Sequence, residues 1–187
     1  MKIRKTTVWM GTLPLLLGGF LAPAPVIRAA DVPDSEQVSK LLSEAKTQAF
    51  QLKEDAVTME SFTRMNVSHE TQAAAINQIR DHVNALVRQA AKLQDAESLA
   101  SPWQKQSIVR ILPFLDELEG YTSAVIEHLN GENRHTIAEY QDYLEANADY
   151  SADLAAMIAN FADYGKAKER VARLAAKLEI TTTKVGQ

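Results

Sequence analysis

The apolar residues of this chain recur four and three apart over most of its length, and that spacing leaves little choice of fold. Val38, Leu42, Ala45, Ala49, Leu52, Ala56 and Met59 form the first row, a stripe along one face of a helix. Ile76, Ile79, Val83, Leu86, Ala90 and Leu93 form a second row, and Ile108, Ile111, Leu115, Leu118, Thr122, Val125 and Leu129 a third. A fourth runs through Ile137, Tyr140, Leu144, Asn147, Ser151, Leu154, Ile158 and Phe161. The alternation of a half-buried strand is missing. Four amphipathic segments with short links predict an all-α fold, an antiparallel up-down-up-down four-helix bundle. The alanines of the first row predict close approach of a neighbouring helix.

Local signals bound the four helices. Asp34, with Gln37 three residues on, reads as the cap of the first. Asn66 or Ser68 caps the second. Ser101, Pro102 and Gln104 together open the third, and Gly131 ends it. Pro113 lies inside that helix, where it removes one hydrogen bond and predicts a bend. Thr136 with Glu139 forms a capping box for the fourth. That last pattern continues to about Glu179, roughly 43 residues, which at about 1.5 Å each exceeds its partners by about 20 Å. Either a bend at Gly165 or an overhanging tail in search of a partner is expected. Residues 181–187 read as a disordered tail.

Ahead of the bundle, Lys2, Arg4 and Lys5 precede an apolar run over residues 8–22 and then a segment rich in Pro and Ala. This order is that of a cleavable secretory signal peptide over residues 1–30, cut near Ala29 or Ala30. An uncleaved membrane anchor is the poorer reading. Pro14, Pro23, Pro25 and the Gly18–Gly19 pair interrupt the roughly 20 apolar residues a span needs. The expected location is therefore the periplasm or the extracellular space, with residues 31–180 as the helical domain.

The charge balance narrows the partners. Of 20 basic and 24 acidic residues, the leader takes Lys2, Arg4, Lys5 and Arg28 and no acid, leaving 16 and 24, a net charge of −8. Such a domain with no basic block does not suit a phosphate backbone or an anionic membrane surface. No nucleic acid and no stable membrane insertion after leader removal are expected. The chain holds no cysteine, which excludes disulfides, thiolate metal sites and covalent haem attachment.

Polar residues offer few candidates for chemistry. His82 falls on the flank of the second row, where a histidine hydrogen-bonds a neighbouring helix or faces water. In an up-down bundle His69, His128 and His135 share one end, accompanied by Glu70, Glu127 and Glu132. Imidazole and carboxylate suit a divalent transition metal such as zinc, copper or nickel; the alternative is a wet polar cap. Glu132 and His135 match one Glu-x-x-His, whereas a di-iron bundle needs two copies on helices plus two inward glutamates. A haem held without covalent bonds wants an inward His level with an inward Met. Met59 is inward, but no His is. Asn147, Ser151 and Thr122 lie at inward positions and either fix helix register or, with Tyr140, Tyr143 and Tyr150, line a small-ligand pocket. No G-x-S-x-G, H-E-x-x-H or Gly-rich phosphate loop occurs, so no catalytic residue is assigned.

The pieces "ESFTRMN", "DHVNAL", "SPWQKQ", "LEANADYSADL" and "NFADYGKAK" resemble a group of exported, uncharacterised bacterial helical proteins. The resemblance implies export and an all-helical domain and brings no activity, cofactor or site residue with it. The reading that follows is an exported noncatalytic bundle acting through protein–protein contact or self-association. Metal or small-ligand binding at the histidine end is the alternative.

Overall fold

The computed structural model describes residues 32–131 and 136–179. The expected leader, the 181–187 tail, Glu132 and His135 lie outside the described residues. Four long helices follow one another: α1 (Glu36–Ser61), α2 (His69–Asp95), α3 (Pro102–Leu129) and α4 (Ile137–Lys177). One-turn 3₁₀ helices at Phe62–Arg64 and Glu97–Leu99 lie in the first two links. No strand occurs among the described residues. Both α1 and α3 pack along α2 and α4, an arrangement consistent with a bundle around one apolar centre.

The rows of the sequence supply that centre. Every apolar residue of the first two rows is buried, together with Ile108, Ile111, Leu115, Leu118 and Val125 of the third. Leu144, Leu154 and Ile158 complete it from α4. Each Val, Leu, Ile or Met side chain so withdrawn from water contributes about 1.5–3 kcal/mol. Ala45, Ala49 and Ala56 on α1 and Ala148, Ala155 and Ala162 on α4 are buried as well, and their small side chains let helix backbones approach. Lys46 Nζ joins the same two helices, 2.8 and 3.0 Å from the carboxylate oxygens of Asp163. The hydrogen bond from Lys46 holds the Asp163 carboxyl below its ordinary value.

The start signals divide into those kept and those displaced. Ser68 caps α2, its hydroxyl accepting from Thr71 N–H at 3.2 Å. Gln104 Oε1 accepts from Ser101 N–H at 3.0 Å at the head of α3, and Thr136 with Glu139 forms the box that opens α4. Asp34, by contrast, does not cap α1. Ser35 does, its hydroxyl 3.4 Å from Val38 N. The Asp34 carboxylate instead accepts from the Trp103 indole N–H at 2.6 Å and from Lys168 Nζ at 3.0 Å. The carboxylate is ionised in either role, but Lys168 brings it an opposite charge that a backbone N–H cannot, so the tertiary partners win over the local cap.

Two expectations for α4 also change. Its row was expected to begin at Ile137, but Ile137 is 75 % exposed, because the first turn lies beyond the packed centre. The helix then runs unbroken through Gly165 for 41 residues. A Cβ on Gly165 would sit 2.9 Å from Trp103 Cη2 and 3.3 Å from Cζ2. Glycine is there to admit an indole ring, and it makes no hinge. The helical hydrogen-bond pattern of α3 likewise continues past Pro113.

Candidate functional site

The histidine end is built where α2 starts, α3 stops and α4 begins. The His69 ring nitrogen Nε2 lies 2.8 Å from the carbonyl oxygen of Leu129, one of the last acceptors of α3 left without a helical partner. For that contact Nε2 carries a proton and donates it to the carbonyl. One residue earlier, the His128 ring stacks on Tyr140, centroids 4.4 Å apart and planes 19° apart. The Tyr140 hydroxyl donates to Gln72 Oε1 at 2.7 Å, and burial pushes its pKa up to about 12. The structure thus brings His69 to the tip of α3 beside His128, whereas His135 is outside the described residues. Among the described residues no three His, Asp or Glu side chains are arranged to hold a metal ion. His82 joins another element altogether: its Nε2 is 3.1 Å from Asp55 Oδ2 on α1, a tie between neighbouring helices.

The inward polar residues meet across α3 and α4. Thr122 Oγ1 donates to Asn147 Oδ1 at 3.0 Å, and Asn147 Nδ2 donates to the Tyr143 carbonyl at 3.1 Å. Both residues are buried, and Ser151, one turn on, is fully buried. A polar pair that can be satisfied only in one alignment penalises every other register. Tyr143 and Tyr150 stand against Tyr121 of α3, at 6.4 and 5.4 Å between centroids. Tyr140 belongs with His128 instead.

Two features escape the sequence reading. The first is the end of the bundle around Trp103 and Gln104. Gln104 is completely buried. Its Oε1 accepts from Ser35 N–H at 2.9 Å as well as from Ser101 N–H, and its Nε2 donates to Ser35 O at 2.9 Å and Ser39 Oγ at 3.1 Å. One amide therefore caps α3 and holds the head of α1. Beside it, burial disfavours the Asp34 charge, but hydrogen bonds from Ser101, Lys168 and Trp103 outweigh that and leave its carboxyl below the ordinary value. Only the Gln104–Ser101 half of this arrangement is local, and only that half is legible as a motif.

The second feature is the outer side of α3 and α4. An open groove of about 620 Å³ runs between them, lined among others by Trp103, Phe114, Met157, Phe161 and Tyr164, with Asp153 on its rim. The Arg110 guanidinium lies 5.9 Å over the Phe161 ring. Aromatics that lie off the apolar rows, Trp103, Phe114 and Tyr164, are the signal that marks it, and Phe161, expected to end the fourth row, lines this groove and is only half-buried. Past the groove, α4 leaves the bundle. Gly165 is its last buried residue, and Val171, Leu174 and Leu178 are 58, 48 and 65 % exposed. None of the helices among the described residues is long and apolar enough to cross a membrane. Comparison with protein-family models, curated proteins and solved structures finds no match for this chain.

Proposed function

We propose that the protein is an exported, noncatalytic helical bundle that acts through protein–protein contact, its final helix supplying the contact surface. In this reading residues 1–30 are a leader removed on the way to the periplasm or the extracellular space. The four helices run antiparallel, up-down-up-down. His82 meeting Asp55 and Gln89 of α2 reaching Leu41 O at 3.1 Å support that order, since the partners on α1 move back toward its start as α2 advances. The pairing of Lys46 with Asp163 supports the same sense for α1 and α4.

The observation that carries the proposal is the apolar row Val171, Leu174, Leu178 on a helix segment with no buried residue of its own. Exposed apolar side chains at i, i+3 and i+7 on one helical face are the arrangement by which a helix docks on a partner. Deleting residues 166–187 tests it. The bundle is expected to stay helical and cooperative, while concentration-dependent association and capture of any partner are lost. Association unchanged by the deletion would overturn the proposal.

A second reading rests on His69 being drawn to the end of α3 beside His128: a periplasmic site for a divalent transition metal, with His135 as the third ligand. Metal-stripped protein is melted with zinc, copper, nickel or iron. At about 100 times its dissociation constant a bound ion stabilises by roughly 2.7 kcal/mol, a rise of several degrees. The rise should vanish when His69, His128 and His135 are replaced by Ala. No rise with any ion, or one that survives the replacement, removes this reading.

A further inference from the structure

The α3–α4 side of the molecule carries one sign of charge over most of its length. Residues 111–129 and 137–165 together hold ten carboxylates and neither Lys nor Arg. Asp163 is tied to Lys46, whereas Glu117, Asp142, Asp149 and Asp153 are exposed and make no ion pair among the described residues. At about 100° per residue, Asp142, Asp149 and Asp153 fall on the bearing of Asn160 and Tyr164, which line the groove. On α3, Glu117 and Tyr121 fall likewise on the bearing of Arg110 and Phe114. The groove therefore continues along the seam as a stretch with carboxylates on both lips.

The floor of that stretch is again aromatic. Tyr150 stands 5.9 Å from Phe114 and 5.4 Å from Tyr121 between ring centroids, and Tyr143 stands 6.4 Å from Tyr121. Tyr150 first and Glu117 after it push the Tyr121 phenol above its ordinary pKa, which puts the Glu117 carboxylate beside this floor.

Such a seam selects its occupant by sign and by shape. A cleft lined by one sign of charge focuses the field and draws in the opposite charge. Nucleic acid and anionic lipid carry the wrong sign. The rings favour cations as well: the Arg110 guanidinium lies 5.9 Å over Phe161, and Lys168 Nζ lies 5.8 and 5.9 Å over Trp103 and Tyr164, within the range of that attraction. The space between two packed helices accepts the apolar stripe of a third. From Asp142 to Phe161, α4 rises about 28 Å, a length that about five helical turns span.

We propose that the α3–α4 seam docks a basic amphipathic helix of another protein, its apolar side chains among Phe114, Met157 and Phe161 and its cations over Glu117, Asp149 and Asp153. Arg110 sets the direction, because the cation that lines the groove admits only the uncharged end of the occupant beside it. The seam is separate from the row Val171, Leu174, Leu178, so this goes beyond the contact reading above and does not rest on it.

Replacing Trp9 by Phe leaves Trp103 as the lone tryptophan of the full chain, and its emission then reports on the groove. Three synthetic probes of about 19 residues, enough to span the seam, are titrated: Leu and Lys at amphipathic spacing, the same with Glu in place of Lys, and Lys alone. The Leu/Lys probe should bind at about 0.1 M salt and shift Trp103 emission to the blue. It should weaken at about 1 M, where the Debye length is about 3 Å. Asp149→Asn/Asp153→Asn should raise its dissociation constant roughly tenfold, and so should Ala156→Lys, which sets a cation in the mouth of the groove. All three positions are exposed, and unchanged melting shows each variant to be folded. Equal binding of the Leu/Glu probe would make the groove an apolar surface without preference for charge. Equal binding of oligolysine would make the acidic lips a general sink for cations. Either overturns the proposal, as does a Trp103 that ignores the Leu/Lys probe or variants that bind it like the parent. A parent that self-associates in sedimentation, and loses the response to the probe as it does so, would give the groove to a second copy and overturn it too.

Discussion

At one end of the bundle a completely buried Gln104 makes four hydrogen bonds to α1 and to the head of its own helix. At the other end His69, exposed to solvent, reaches α3 through a single ring nitrogen. The Trp103 end is closed by contacts distant in sequence, from Asp34 to Lys168 and from Trp103 to Gly165. The histidine end is made of helix termini that meet water. The difference separates two uses of polar groups. Where water is excluded, a polar side chain has one permitted set of partners and fixes the alignment of helices. Where water competes, it stays replaceable, and its lone pairs remain open to a ligand.

The sharpest way to break this comparison is Gln104→Ala. It leaves the Ser35 and Ser101 amides without their partner where water is largely excluded, each costing about 1–3 kcal/mol, whereas the Ser35 carbonyl still accepts from Ser39 N–H. The expected loss is about 3–4 kcal/mol by urea unfolding. A loss no larger than that of an ordinary surface substitution would show the end to be loosely held.

Gly165→Ala sharpens it next. Alanine alone favours a helix by about 1 kcal/mol over glycine, but here its Cβ would meet Trp103 at 2.9 Å. We expect net destabilisation of about 1–3 kcal/mol from the displaced ring. Gly120→Ala, where nothing lies within 4 Å, should instead stabilise by about 0.5–1 kcal/mol. Equal effects at the two glycines would remove close approach as the reason for Gly165.

The histidine end should respond least. Tyr140→Phe deletes the hydrogen bond to Gln72 at a cost of about 0.5–1.5 kcal/mol. Its signature is pH dependence. The folded-state pKa, raised by burial to about 12 from 10.0, makes the neutral phenol part of the folded state. That contribution is intact below pH 10 and is lost as pH rises from there through about 12, because the unfolded chain ionises first. Melting across this window should show an extra fall in the parent that Tyr140→Phe lacks. Parallel curves for the two proteins would place the phenol in water.

Much of the fold is written in period and caps. The rows on α1 and α2 are buried residue for residue, and Ser68, Ser101, Gly131 and Thr136 stand at the helix boundaries they announce. These signals are local: a side chain facing its own backbone, or a spacing on its own helix. Reading went astray where a residue had a stronger distant partner, as Asp34 did, or where the helix outran the packed centre, as at Ile137. The meeting of His69 with the end of α3 was legible because helix order alone brings those termini together. The groove was not, since it is the space left between two helices, and no one of them encodes it.

By itself, then, the sequence determined the helices, their buried faces and the excess length of the last one, because a 3.6-residue period and a capping side chain act within a few residues. The tertiary structure alone decided that Gln104 serves two helices at once, that Gly165 makes room for Trp103, and that an open groove lies between α3 and α4. Those outcomes depend on which side chains meet across tens of residues, a matter of packing distance and excluded water.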